Sequence, residues 1–281
     1  MKKQYILSLA GLLVVILLFW IGKTNVDKSP PQQETKNISQ SFDILSFIYK
    51  EKDKKSISVQ HKIAQLESDI DKSNNVSAKA TALGTLATYY RDTVQLTEAY
   101  LYYTSVAANL DNSEKNLTFA AQLFLNVLRG EQNAGLIEWE SKEAIALFEK
   151  AIQLNPGNDS LRVGLGSCYV FGKGRNGDPQ QTMKGIQELL GVVRKDSNNM
   201  QAQLVLGIGG FISGQYDKAI ARLSNVIARE PNNIEAMAYL ADTYAAKGMK
   251  EDAIKWYNIS KRLANDEHYS SEVDQRIQQL H

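Results

Sequence analysis

Hydrophobic and polar positions divide the chain into stretches of different period. From Tyr5 to Gly22 the sequence YILSLAGLLVVILLFWIG is apolar except for Ser8. A helix over this run rises about 27 Å, close to the thickness of a hydrocarbon core. Lys2 and Lys3 precede it, Lys23 closes it, and Trp20 stands near one end, where interfacial aromatics belong. The pattern predicts an uncleaved transmembrane signal anchor over 5–22 behind a short tail, 1–4. The alternatives are a buried core helix and a cleaved secretory signal, but for the latter no A-x-A-like cleavage pattern comes after the run. Residues 23–55 read as a linker. Thr24–Ser41 is polar, holds Pro30-Pro31 and has no apolar period. Phe42–Tyr49 (FDILSFIY) is a short apolar patch, a helical turn or a strand that docks on the domain C-terminal to it. Ile63, Leu66 and Ile70 recur at helical steps within 56–76 and predict an N-terminal capping helix.

From Ala78 onward helical periodicity dominates and no stretch alternates long enough to predict a strand, so the fold class is all-α. Shifting the sequence by 34 residues superimposes Leu206 on Leu240, Gly214 on Gly248, Asp217-Lys-Ala-Ile220 on Glu251-Asp-Ala-Ile254, and Leu223 on Tyr257. The same shift backwards places Arg229-Glu-Pro-Asn-Asn233 on Lys195-Asp-Ser-Asn-Asn199. Earlier, EAIALFEKAIQLNPGN carries Ala144, Phe148, Ala151 and Pro156, with Leu165, Gly166 and Tyr169 next along the chain; Leu86, Ala87, Tyr90, Ala99 and Tyr103 form the first unit. These residues resemble the tetratricopeptide-repeat family, whose unit of about 34 residues is a pair of antiparallel helices, A and B. The small helix-B residues Ala99, Ala144, Gly185, Ala219 and Ala253 mark the register, and their first two intervals exceed 34. The excess falls near Gly130–Glu140 and near Gly174–Gln181. The resemblance implies a right-handed superhelix of about four units, two with insertions, over 77–265. Val273, Ile277 and Leu280 predict a C-terminal capping helix over 266–281.

In this family, helix A lines a concave groove. By register, the groove positions are Ser160, Val163, Ser167 and Val170 in the third unit. In the fourth they are Gln201, Leu204, Ile208 and Phe211. In the last they are Glu235, Ala238, Asp242 and Ala245. The Lys and Asn side chains with which some members hold a C-terminal carboxylate are absent there. Val163, Val170, Leu204, Ile208 and Phe211 predict an exposed apolar patch instead, and Ser167 and Asp242 complete the candidate peptide-binding set. Either a partner fills that patch, or Phe42–Tyr49 fills it in cis.

Composition adds mostly exclusions. The 281 residues hold 32 Lys+Arg and 31 Asp+Glu, for a net charge of +1. Residues 1–23 carry Lys2, Lys3 and Lys23 and no acid. The remainder therefore holds 29 basic and 31 acidic side chains, net −2, which argues against nucleic acid as a partner. A single cysteine, Cys168, excludes an intramolecular disulfide and any zinc site with two thiolates, and three histidines are too few for a histidine-rich centre. Gly207-Ile-Gly209-Gly210 lacks the strand and the Lys-Ser/Thr of a phosphate loop and reads as close helix packing. Gly172–Pro179, with Lys173 and Arg175, reads as a surface connection. Glu138, Glu140 and Glu143 lie together, but the sequence places nothing beside them that raises a carboxyl pKa. No catalytic, cofactor-binding or metal-ligating residue is predicted. The expected protein is a non-enzymatic scaffold or assembly factor that binds a protein or peptide partner and is attached to a membrane by its anchor. The alternative is an organiser of an envelope complex that works by self-association. Fold-level analogy with bacterial envelope assembly factors places it in the inner membrane with its repeats on the periplasmic side.

Overall fold

The computed structural model describes residues 42–280. Among them all regular structure is helical: thirteen α-helices and two π-helical turns. The apolar run over 5–22 lies outside the described residues. No helix within them is long and apolar enough to cross a membrane.

The chain enters through α1 (Ile44–Asp53), whose first turn is capped by the Asp43 carboxylate on the Ser46 amide. Next comes α2 (Ile57–Asp71), with Ile63, Leu66 and Ile70 buried as its period predicts. Five antiparallel helix pairs come after it. The first is α3 (Val76–Tyr89), prolonged by a π turn at Tyr90–Val94, with α4 (Thr97–Asp111). The second is α5 (Glu114–Leu128) with α6 (Ala134–Leu154), and the third is α7 (Asp159–Cys168), prolonged by a π turn at Tyr169–Gly174, with α8 (Pro179–Lys195). The fourth is α9 (Met200–Ile212) with α10 (Tyr216–Arg229), and the fifth is α11 (Ile234–Ala246) with α12 (Lys250–Ala264). The chain closes in α13 (Glu267–Gln278), which buries Val273.

The count is therefore five pairs, where the motif register suggested about four. Helix α5 lacks the family's spacing of small and large residues, so only its apolar stripe of Leu117, Ala121, Phe124 and Leu128 announces it. Its partner explains the first long interval. Helix α6 begins at Ala134, ten residues ahead of Ala144, whereas α10 and α12 begin three ahead of Ala219 and Ala253. Most of the excess is thus extra helix rather than loop. The second long interval is divided between the π turn after α7 and an early start of α8.

The 34-residue identity of the last two units is local chemistry repeated. Asn199 and Asn233 accept from the amides of Ala202 at 2.9 Å and Ala236 at 2.8 Å, each capping a helix A. Gly214 and Gly248 lie past the ends of α9 and α11 at φ of 72° and 79°, the left-handed conformation that only glycine adopts freely. Between units, burial tracks the seam. One apolar cluster runs from Leu101 in helix B of the first unit, through units two to four, to Leu240 in the fifth. A second joins α1 and α2 to the first unit, and a third joins the last unit to α13. The Phe42–Tyr49 patch belongs to the outside of this stack. Ile48 is buried in the first-unit cluster, and the Phe42 ring lies 6.3 Å from Trp139 of α6. It rests on helices B and does not occupy the groove positions of α9.

Candidate functional site: the face formed by helices A

Helices A of neighbouring units pack side by side: α5 on α7, α7 on α9, and α9 on α11. The layer can form because its small residues let the helix-B layer approach. A Cβ on Gly207 would stand 2.7 Å from Leu223 Cγ, and one on Gly210 would stand 3.3 Å from Ala219 Cβ. The glycine run in α9 is thus a helix-packing surface. In the third unit, Gly166 and Gly185 meet so closely that a Cβ on Gly166 would lie 3.0 Å from the Gly185 carbonyl oxygen.

On the exposed side of this layer is an open cleft of about 320 Å³ between α5, α7 and the start of α9. Its lining is mixed: Leu125, Val163 and Gly164 form an apolar part, and Gln122, Asn126, Arg129, Ser160, Ser167, Asn199 and Gln201 supply polar groups around it. Amides and hydroxyls of this kind pair with peptide N–H and C=O groups from either direction. Beside the cleft lies a packed cluster. The Arg129 guanidinium sits 4.4 Å above the Phe171 ring and is 2.7 Å from Glu235 of α11. Arg175 donates to the carbonyls of Leu128, Arg129 and Glu131, closing the C-terminal end of α5. Phe211 packs edge-on against Tyr239 at 6.0 Å.

The structure separates the predicted site residues into three groups. Val163 and Ser167 border the cleft, although both are buried and the Ser167 hydroxyl is bonded to the Val163 carbonyl. Val170, Leu204 and Ile208 are sealed inside, and Phe211 is half-buried among tyrosines. The exposed apolar patch does not form. Every residue of α9 from Ala202 to Gly210 is buried, because that helix has neighbours on all sides. Asp242 is partly buried and already paired. Arg276 of α13 donates to both of its carboxylate oxygens, at 3.0 and 3.1 Å, and the Tyr257 hydroxyl also donates to it. Sequence reasoning missed Gln122, Asn126 and Arg129, because α5 had no register.

The remaining candidates are accounted for by packing and pairing. The Gly172–Pro179 connection is tied down by Lys173 to Glu138 and by Arg175 to α5, so its cations have intramolecular partners. Burial pushes the Cys168 thiol up, as befits an inert core cysteine. The acid group is not benign, contrary to expectation. Glu140 is 1% exposed, its Oε2 has no hydrogen-bond partner, and burial together with the charges of Glu131 and Glu98 raises its pKa to about 8. Burial raises Glu143 as well. Among the described residues no group of three or more His, Cys, Asp or Glu side chains is placed to hold a metal ion.

Five stacked helix pairs with a cleft on the helix-A layer define a helical-repeat protein. Residues 211–271, the end of α9 through the start of α13, match the family model described as Tetratricopeptide repeat. Among solved structures, TTC0263, titled a thermophilic TPR protein in Thermus thermophilus, shares the fold. Its TM-score is 0.53 at 18% identity, over 72% of this chain and 98% of that one. PilW, titled a type IV pilus biogenesis factor, aligns with a TM-score of 0.48 at 18% identity, over 73% and 94% of the two chains. YrrB, titled a TPR protein with an unusual peptide-binding site, aligns at 0.43 and 20% identity, over 70% and 92%. No curated protein sequence matches the chain significantly.

Proposed function

We propose that this chain is a non-enzymatic scaffold or assembly factor that holds a segment of another polypeptide against its helix-A face. The observation that carries the reading is the open cleft between α5, α7 and α9, where amide, hydroxyl and guanidinium groups from three successive repeats converge around Leu125, Val163 and Gly164. Such a surface recognises an extended backbone through hydrogen bonds, with side-chain selection added at its edges. Val163 and Ser167 remain in this site. Leu204, Ile208 and Val170 shape it from beneath, by setting how α7 and α9 pack. The run over 5–22 is the proposed membrane anchor, with the repeats on the exported side of a bacterial inner membrane. Tethering raises the effective concentration of the scaffold for partners at that membrane.

The test is site-specific photo-cross-linking of the full chain in native membranes. The cross-linker is placed at Gln122 or Gln201 in the cleft, and at exposed Lys142 on the outer helix α6 as the control. A discrete partner band from the cleft positions alone supports the reading. Equal capture at Lys142 overturns it. Capture of a second copy of this chain from the cleft replaces it with the self-associating organiser.

A further inference from the structure

Among the described residues, one bond departs from the logic of the array. Repeat proteins are quasi-one-dimensional, and each unit contacts its neighbours. The side-chain hydrogen bonds and ion pairs obey this: the others join residues no more than 47 positions apart. Arg129–Glu235 spans 106 positions and joins unit two to unit five, past units three and four. It does so at the edge of the cleft, which Arg129 also lines. The guanidinium is steadied from below by the Phe171 ring, and Arg175 fixes the backbone carbonyl of Arg129 itself.

We infer that the Arg129–Glu235 pair is a clasp that closes the array on itself across the helix-A face and sets how far the cleft opens. Its exposure suits a switch. The Arg129 and Glu235 side chains are 28% and 38% exposed, so water and salt reach the pair. Partly exposed pairs are weak and salt-sensitive. A contact of that strength biases a closed-to-open ratio by about fivefold and does not lock it. Because stacked repeats flex as a spring, removing one cross-unit contact changes the separation of units two and five while each unit stays folded. The consequence for function rests on the helix-A face being the binding surface. An acidic side chain of a bound polypeptide competes with Glu235 for Arg129 and loosens the clasp as it enters.

The clasp is tested without any ligand. Spin labels are placed at Lys115→Cys on α5 and Ala246→Cys on α11, with buried Cys168 left unlabelled, and their distance distribution is measured in the full chain. At low salt the parent pair is expected to give one narrow distance. Arg129→Ala and Glu235→Ala should each broaden and lengthen it, lowering the closed fraction about fivefold. Salt at about 1 M, with a Debye length of roughly 3 Å, should open the parent and leave Glu235→Ala unchanged. Superimposable distributions for parent and alanine variants overturn the proposal, as does an equal salt response in both. Photo-cross-linking from Gln122 then separates the two claims. If Glu235→Ala, which leaves the cleft lining intact, opens the array and capture does not rise, the binding reading fails and the clasp stands.

Discussion

Replacing Glu140 by glutamine should stabilise the protein at neutral pH and flatten its stability profile against pH. The side chain is a carboxyl 1% exposed in α6, with an unpartnered Oε2 and two further acids, Glu131 and Glu98, acting on it. Its pKa is about 8 in the folded protein against an ordinary 4.5. The folded state therefore binds the proton more tightly than the unfolded state does. Its stabilising contribution is complete below about pH 4.5, declines by about 1.4 kcal/mol per pH unit above that, and is lost once pH passes about 8. At pH 7 the ionisation penalty is on the order of 3 kcal/mol. Glutamine has nearly the same shape and no charge to lose, so Glu140→Gln should recover most of that amount. Urea denaturation of the full chain at pH 5 to 9, monitored by circular dichroism, measures it. The expected difference in midpoint is near zero at pH 5 and about 1 M by pH 8. Taking the difference between variant and parent cancels the contributions of groups common to both. A difference independent of pH, or a variant less stable than the parent at pH 8, would refute the argument.

Helix packing and capping set the remaining expectations. Gly166→Ala drives a Cβ to 2.6 Å from Leu189 Cγ and 3.0 Å from the Gly185 carbonyl, and should cost about 1–3 kcal/mol by denaturation. Gly191→Ala, in α8 with no atom within 4 Å of the new Cβ, should instead stabilise by about 0.5–1 kcal/mol. Asn199→Ala and Asn233→Ala each remove a helix-A cap and should cost about 1 kcal/mol, seen as faster amide exchange in the first turns of α9 and α11. Arg276→Ala removes both hydrogen bonds to the Asp242 carboxylate, so hydrogen exchange should rise in α13 and spare α5 to α8.

Much of the fold is legible along the chain because it is written in short-range chemistry. Helical period, asparagine caps and left-handed glycines act within a few residues, so the last two units and the apolar stripes of α2 and α13 could be read directly, whereas α1 was left open between a helical turn and a strand. The second unit could not. Helix α5 satisfies its apolar stripe without the family's spacing, and two extra turns on α6 break the 34-residue register on which the comparison depends. The candidate site suffered more. Ser160, Ser167 and Gln201, groove positions by register, line the cleft, but register carries no information on how deeply that face is covered. Leu204 and Ile208 hold groove positions by count and are sealed by neighbours on either side.

The sequence alone therefore determined the helical-repeat class, the phase of its last units and the exclusion of zinc sites that take two or more thiolates from this chain. Each of these depends on residue type at short spacing. Only the tertiary structure decided which groups are open and which are locked. Gln122 and Asn126 face a cleft, Asp242 is bound by Arg276, Glu140 is stranded in the core, and Arg129 reaches Glu235 across two intervening units. Burial and charge pairing are properties of elements brought together from afar, and no local pattern encodes a contact between residues 106 positions apart.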